Sequence, residues 1–365
     1  MATGMPLLAS QCRERAAPIG MASPVDGGDR FLAADIGGTH ARIALMERGS
    51  AGQPTTTVAY RVYRCADHPH LEDILRSFCL EFDAHPRALV LACAGYLHAG
   101  AVITKNLVWP VLLQRLKETL ALEEVWFLND LQALAYAVGH GATDGAAMLK
   151  PAMSNDAGAG PVVVIGPGTG LGAAVWLPGQ PARVMATEAG HTQLSARIGI
   201  EQHVLARLAQ PGNHVSHETV LSGPGLHRIY VALCAIHDRY PSLLEPSAIT
   251  ERALEGRDEM AREALSLFCG WLGSYAGDLA MLYGASGGVC LAGGFLFQMI
   301  DFMRDSTLVE RFLDKGVMRP FLQKVPIRVI DHGAHGVVGA ANWHVDMHTD
   351  IGVRSGGERH RCIDL

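Results

Sequence analysis

The sequence predicts an α/β protein of two lobes with a cleft between them. Its length of 365 residues exceeds the size at which a single hydrophobic core stops growing. Apolar strand-like runs alternate with helical patterns, which is typical of a mostly parallel sheet covered by helices. One motif, a buried strand followed by a glycine turn and a second strand, occurs twice, over 31–46 and over 162–177. Ligand binding is expected in the cleft between the lobes.

The first lobe begins with two apolar runs, 31–36 and 41–46, which predict a hairpin with Gly37 and Gly38 at its bend. Buried strands are predicted at 88–93 and 125–128. Each follows a predicted helix, at 70–82 and 110–121 respectively.

The second lobe repeats this order and then becomes more helical. Strands are predicted at 162–165, 173–177, 288–292 and 327–330, and helices at 224–237, 258–283 and 334–344. We expect a small α/β domain over 30–140 plus about 331–345, and a large one over 141–330. Residues 1–29 lack periodicity and are rich in Gly, Pro, Ala and Ser, which predicts a disordered leader. A frayed tail is predicted over 346–365.

Composition excludes several classes of protein. Hydrophobic residues make up 49% of the chain and charged residues 18%, so most of it can build a packed core. The net charge is −6 with no run of Lys or Arg, which predicts neither a nucleic-acid nor a membrane partner. No apolar run approaches the ~18 residues of a membrane span. The 8 cysteines form no CxxC pair, so we expect reduced core thiols and a cytoplasmic location.

The two glycine turns are candidate phosphate sites. Asp35 and the motif IGGTH end the first strand, where glycines let a ligand approach the backbone N–H groups and Asp35 is placed to hold a metal-bound water. Taken alone, Gly-Gly between strands is more often a simple hairpin bend. Its weight comes from the second turn, GPGTGLG from Gly166, which also follows a buried strand and carries a hydroxyl, Thr169.

The second turn also fits a different class of enzyme. Gly168, Gly170 and Ala173 match GxGxxA, and Glu188 follows about 20 residues later, as in a nicotinamide dehydrogenase. That fingerprint requires a helix directly after the glycines, whereas 173–177 predicts a strand. No GxxxxGK[ST] motif occurs, so P-loop chemistry is excluded.

The polar candidates lie where strands end. Asn129 and Asp130 follow a buried strand, at the edge where ligands bind in open α/β sheets. Either residue is also a good cap for a helix over 131–138, and capping is compatible with a role as a base. Further acceptors without a compensating lysine suit a neutral polyol: Asn106, Glu188, His191 and Glu218.

Ordered sequence blocks resemble one family. AADIGGTHAR, NLVW, FLNDLQALAYA, IGPGTGLG, EAGH, HETVLSGPGL, ITERAL, ALSLFC and LAGG are similar to the bacterial-type glucokinases, over most of residues 30–342. The resemblance implies the two-lobed, actin-like ATPase (ribonuclease H-like) fold shared by hexokinase, actin and the heat-shock ATPases. It implies transfer of the γ-phosphoryl of MgATP to the 6-hydroxyl of glucose, and a homodimer.

The resemblance also implies roles for individual residues. Phosphate contacts would come from Asp35, Gly37, Gly38, Thr39, Gly168, Thr169 and Gly170, with Mg²⁺ held by Asp35 through water. Adenosine would lie near Gly223, Gly293 and Gly294. Glucose would contact Asn106, Asn129, Asp130, Glu188, His191 and Glu218, with Asp130 as the base.

The sequence departs from the family pattern at three places, of which one is Ala186-Thr187 before EAGH, where a Gly-containing segment is usual. His40 stands where an asparagine is usual, and Thr104-Lys105-Asn106 is one residue longer than the common form. The related repressor and kinase family with a cysteine-rich zinc motif is excluded, because no such cysteine cluster occurs. Beside the sugar kinase, a dehydrogenase and a non-catalytic, sugar-sensing or actin-like nucleotide binder stay open.

Overall fold

The computed structural model describes residues 30–49, 55–104, 107, 109–143, 145–153, 160–209, 214–331 and 333–353. The predicted leader at 1–29, the predicted sugar ligand Asn106 and residues 354–365 of the predicted tail lie outside them. Within the described part of the chain, no helix is long and apolar enough to cross a bilayer.

The described residues of 30–139 form one main sheet, a small sheet and three α-helices. The elements are β1 (Arg30–Ile36), β2 (His40–Glu47), β3 (Thr56–Arg64), α1 (Leu71–Glu81), β4 (Ala88–Cys93), β5 (Tyr96–His98), β6 (Ala101–Ile103), β7 (Val111–Leu112), α2 (Leu113–Thr119), β8 (Glu124–Asn129) and α3 (Asp130–Gly139). The main sheet has the order β3-β2-β1-β4-β8, and β5-β6-β7 form the small sheet.

The described residues of 147–353 form a second large sheet and nine α-helices. The elements are β9 (Ala147–Lys150), β10 (Val162–Pro167), β11 (Leu171–Leu177), β12 (Arg183–Thr187), α4 (Ile200–Leu208), α5 (Gly223–Ile236), α6 (Pro246–Leu254), α7 (Glu259–Leu282), β13 (Gly288–Ala292), α8 (Gly294–Gln298), α9 (Ile300–Asp305), α10 (Leu308–Leu313), α11 (Arg319–Lys324), β14 (Ile327–Ile330) and α12 (His335–Val353). The sheet has the order β12-β11-β10-β13-β14-β9.

The two large sheets repeat one topology. In the first, β1 pairs antiparallel with β2 and parallel with β4, which pairs parallel with β8. In the second, β10 pairs antiparallel with β11 and parallel with β13, which pairs parallel with β14. The predicted strand, glycine turn, strand repeat is therefore confirmed as a repeat of architecture. In each sheet the glycine turn lies at the carboxyl edge of the parallel strands.

Helices α3 and α12 pack together between the sheets. On α3, Ala133 belongs to the apolar cluster of the first sheet, whereas Leu134 belongs to that of the second. The helices cross closely, since a Cβ on Gly339 of α12 would lie 1.7 Å from the carbonyl oxygen of Ala133. The start of α3 is thereby held at the junction of the two sheets.

Helix α12 extends further than the sequence predicted. Residues 346–353, predicted to belong to a frayed tail, are helical. Asp346 approaches His140 at 3.3 Å, and His348 approaches Glu124 at 3.1 Å, so the added turns are fastened to α3 and β8. The partners lie about 200 residues away in the chain, where local sequence patterns do not reveal them. The division into domains at 140/141 and about 331 stays a prediction.

Candidate active site

The carboxyl ends of β1, β4 and β8 meet at one edge of the first sheet. Ile36 is paired with Cys93, and Cys93 with Asn129. The edge opens into a cavity of about 210 Å³ lined by Asp35, Ile36, Gly37, Gly38, Arg42, Ala94 and Asp130. The structure thus brings the first glycine turn and the predicted base to one cavity.

Asn129, and not Asp130, caps α3. Its side-chain oxygen accepts a hydrogen bond from the backbone N–H of Leu131 at 3.0 Å, and its amide donates to the carbonyl of Gly95 at 3.2 Å. Gln132 completes a capping box. Asp130 is the first residue of the helix, where the helix dipole favours a carboxylate. Asp130 Oδ1 also accepts from the N–H of Leu131, at 2.9 Å, and Asp130 lines the cavity.

Asp35 is held between the guanidinium of Arg42 and the first turn of α12. It is 6% exposed, and its Oδ2 lies 3.7 Å from Nη1 of Arg42. A Cβ on Gly336, in the first turn of α12, would lie 2.7 Å from the carboxylate carbon of Asp35. Cys93 lies near both carboxylates: burial, and then the charges of Asp130 and Asp35, raise the pKa of its thiol to about 12. This thiol is therefore neutral.

The site fits a magnesium ion that binds together with phosphates. Mg²⁺ commonly takes one or two carboxylates from the protein and its remaining ligands from water and substrate phosphates. Asp35 opens onto the cavity beside the first glycine turn. In the described residues, no group of three or more His, Cys, Asp or Glu side chains could hold a metal ion. A fully protein-ligated metal centre is thus not formed by these residues.

The second glycine turn lies beside two helix starts. The N–H of Gly223, at the start of α5, donates to the carbonyl of Gly168 at 2.8 Å. Gly293, directly before α8, has φ +149°, and a Cβ there would lie 3.2 Å from the carbonyl oxygen of Pro167. Gly294 follows as the first residue of α8. The residues predicted for adenosine are thus next to the turn of Gly168, Thr169 and Gly170.

Leu131 packs against the base of the second glycine turn. A Cβ on Gly166 or Gly172 would lie 2.9 or 2.7 Å from a methyl carbon of Leu131. Because both positions lack a side chain, the first turn of α3 packs directly on the hairpin of β10 and β11. Asp130 therefore stands between the first glycine turn and the base of the second.

The remaining predicted sugar ligands form two groups. Glu188 precedes the short helix Ala189–His191 after β12, and His191 ends it; both are exposed, with 3.8 Å between Oε2 and Nε2. Glu218 lies against the second glycine turn instead, where its Oε2 accepts from the N–H of Leu171 at 2.8 Å. Thr192 and His217 join the two groups, because the backbone N–H of His217 donates to the carbonyl of Thr192 at 3.0 Å.

Arg42 is the cavity residue that sequence reasoning missed. It lies opposite Asp35 in the β1–β2 pairing, on the same face of the sheet. The sequence contained enough information to find Arg42, because a hairpin that bends at Gly37 and Gly38 places this residue opposite Asp35. A guanidinium in the cavity supplies positive charge beside two carboxylates.

The dehydrogenase interpretation of the second turn is wrong. It required a helix after the glycines, to place a pyrophosphate on the helix N-terminus. The structure has strand β11, antiparallel to β10, at that place. Glu188 lies after β12, two strands beyond the turn.

Comparison with known proteins agrees with this geometry. The family model described as Glucokinase matches residues 32–347. A glucokinase-like protein of Xylella fastidiosa (strain Temecula1 / ATCC 700964) is 44% identical over 323 residues, covering 87% of this chain and 95% of the relative.

Two solved structures share the fold. The crystal structure of a glucokinase from an Antarctic psychrotroph has a TM-score of 0.77 and 33% identity, covering 87% of this chain and 99% of its own. A glucokinase of the ROK family from Streptomyces griseus, solved with glucose and AMPPNP, has a TM-score of 0.54 and 23% identity, covering 86% and 98%. The fold is therefore the two-lobed actin-like ATPase fold, and the chain belongs to the glucokinase family.

Proposed function

We propose that this protein is an ATP-dependent glucokinase, which transfers the γ-phosphoryl of MgATP to the 6-hydroxyl of glucose and releases glucose 6-phosphate and ADP. The observation that carries the proposal is the position of Asp130, at the first residue of α3 between two glycine turns. Its support is the family membership and the fold, which is shared with a glucokinase solved with glucose and an ATP analogue.

The two turns supply what phosphoryl transfer requires. Backbone N–H groups at glycine turns face phosphate oxygens without a side chain in the way. Positioning and electrostatic stabilisation account for most of the catalysis of this reaction. Asp35 would hold Mg²⁺ through water, and this ion neutralises phosphate charge when it binds with ATP. Arg42 adds a fixed positive charge at the same edge.

Asp130 acts on the sugar. As the bond between O6 and the γ-phosphorus forms and the bond to the β,γ-bridging oxygen breaks, the hydroxyl proton passes to the Asp130 carboxylate and ADP leaves. The Asn129 cap fixes the start of α3, so that Asp130 keeps one position. We assign the hydroxyls of glucose to Asn106, Asn129, Glu188, His191 and Glu218.

Sugar binding would close the two lobes. Closure excludes water from the γ-phosphoryl and completes the site only when the sugar is present. The lobes correspond to residues 30–140 with about 331–345, and 141–330. The enzyme would act as a homodimer, as the resemblance implies, and in the cytoplasm, which the scattered cysteines without a CxxC pair indicate.

The first test removes the base. Asp130→Asn keeps the size of the side chain, and we expect kcat to fall by at least ~10²-fold, with a smaller change in glucose affinity. ADP release in a coupled assay gives kcat, and calorimetry gives the glucose affinity. Asp73→Asn is the matched control, since Asp73 also lies in the first turn of a helix, α1. A kcat near the wild-type value for Asp130→Asn would remove it from the role.

The second test separates substrates and function classes. ADP release is measured with glucose, mannose, fructose and N-acetylglucosamine, each at saturating MgATP. We expect turnover with glucose and little ATP hydrolysis without sugar. Sugar binding without ADP release would instead indicate a sensor, and a preference for another sugar would change the named substrate.

A further inference from the structure

We infer that the segment from Cys65 to His68, which follows β3 and contacts Trp109, positions the first glycine turn. This inference rests on the proposed function, in which the turn of Gly37, Gly38 and Thr39 contacts phosphate. Cys65 and His68 are positioning residues in this view, since they act through the turn.

Two hydrogen bonds tie Cys65 to the turn. Its backbone N–H donates to the carbonyl of Thr39 at 2.9 Å, and its thiol donates to the carbonyl of Gly37 at 3.3 Å. The side chain is 1% exposed, and burial raises the pKa of the thiol, so the sulfur keeps its proton and remains a donor. Cys65 therefore holds the carbonyls of Gly37 and Thr39, at the two ends of the turn.

The other end of the segment holds Trp109. The indole N–H of Trp109 donates to the carbonyl of His68 at 3.0 Å, and the N–H of His68 donates to the carbonyl of Cys65 at 3.3 Å. Trp109 is 6% exposed and shares one apolar cluster with Cys65. Hydrogen bonds thus run without a break from Thr39 through Cys65 and His68 to Trp109.

The contact with Trp109 anchors the segment from Cys65 to His68 in the apolar cluster that Trp109 and Cys65 share. The segment can therefore hold the first glycine turn in one position.

Three variants test the positioning role of Cys65. Cys65→Ala removes the thiol donor, and we expect the KM for ATP to rise roughly 3- to 10-fold, the effect of one ordinary hydrogen bond, with the KM for glucose nearly unchanged. Cys65→Ser keeps a donor and should restore the KM for ATP to within about 2-fold of wild type. Cys79→Ala is the control, because Cys79 packs on the same cluster. We expect it to keep both KM values.

The outcomes separate the two proposals. Equal effects of Cys65→Ala and Cys65→Ser on the KM for ATP would overturn the inference while the enzyme remains a glucokinase. A wild-type protein without glucose-dependent ADP release would instead refute the proposed function. Thermal unfolding of each variant shows whether it folds. If Cys65→Ala does not fold, the KM for ATP of Cys65→Ser decides whether the inference holds: a value within about 2-fold of wild type supports it, and a larger rise overturns it.

Discussion

The substitution Gly336→Ala would displace Asp35 without changing it. Gly336 lies in the first turn of α12, where an alanine Cβ would stand 2.7 Å from the carboxylate carbon of Asp35 and 2.8 Å from its Oδ2. Ordinary Cβ contacts begin at 3.4 Å, so the contact is too short by about 0.7 Å. Rotation of the carboxylate does not relieve the contact, because the Cβ of Asp35 would itself be only 3.1 Å away.

The expected effect is kinetic. Misplacement of a catalytic group by about 1 Å costs on the order of 10²-fold, so we expect kcat/KM for ATP to fall roughly 10- to 100-fold. Overpacking costs about 1–3 kcal/mol, and alanine in a helix recovers about 0.5–1 kcal/mol relative to glycine. The variant should therefore fold, with a KM for glucose close to the wild-type value.

A coupled ADP assay at saturating glucose, with ATP varied, measures the effect. Val337→Ala is the matched control, since it weakens the packing of the same helix by removing buried methyl groups and adds no atom next to Asp35. We expect it to lower the unfolding temperature and to retain kcat/KM for ATP. A folded Gly336→Ala enzyme with wild-type kcat/KM for ATP would refute the placement of Asp35 at the phosphates.

Three further predictions concern the second glycine turn and the pH dependence of stability. Gly170→Ala would place a Cβ 2.7 Å from Oε2 of Glu218, and we expect the KM for ATP to rise, which initial-rate measurements would show. Burial lowers the pKa of His344 to about 3, so only the unfolded chain binds this proton as the pH falls below about 6.5. Urea unfolding should show a loss of about 2 kcal/mol between pH 7 and pH 5 that His344→Phe removes. A hydrogen bond to Asp346 raises the pKa of His140, so this pair stabilises the fold below the unfolded pKa, and the contribution is lost as the pH rises through the folded pKa. Asp346→Asn should therefore destabilise the protein by at most about 1 kcal/mol at pH 5.5, and by a clearly smaller amount at pH 9.

The sequence determined the strands that build the site. Runs such as ALVLAC in β4 are apolar throughout because both faces of a central parallel strand are covered, and all six residues are buried. Gly37 and Gly38 marked the bend of the β1–β2 hairpin, and its register followed from the bend. Asp130 could be placed at the carboxyl edge of the sheet, because a strand and a helix meet there in sequence.

Other features needed the tertiary structure. Asn129 and Asp130 are both good helix caps, so local chemistry could not choose between them. In the structure Asn129 is the cap, and its side-chain amide also donates a hydrogen bond to the carbonyl of Gly95, which lies far from it in the sequence. Likewise, the polar pattern of residues 346–353 predicted a frayed end, whereas its partners Glu124 and His140 belong to distant parts of the chain.

The sequence thus determined by itself the central strands of both large sheets, where the glycine turns lie and which family the blocks resemble, because these depend on local periodicity and residue order, whereas β3, β5, β6, β7, β9 and β12 were not predicted. Only the tertiary structure decided that Glu218 lies against the second turn, that Gly336 packs on Asp35 and that Cys65 holds the first turn. Such contacts join residues that are distant in sequence, and they depend on the packing of whole helices and sheets, which no local pattern encodes.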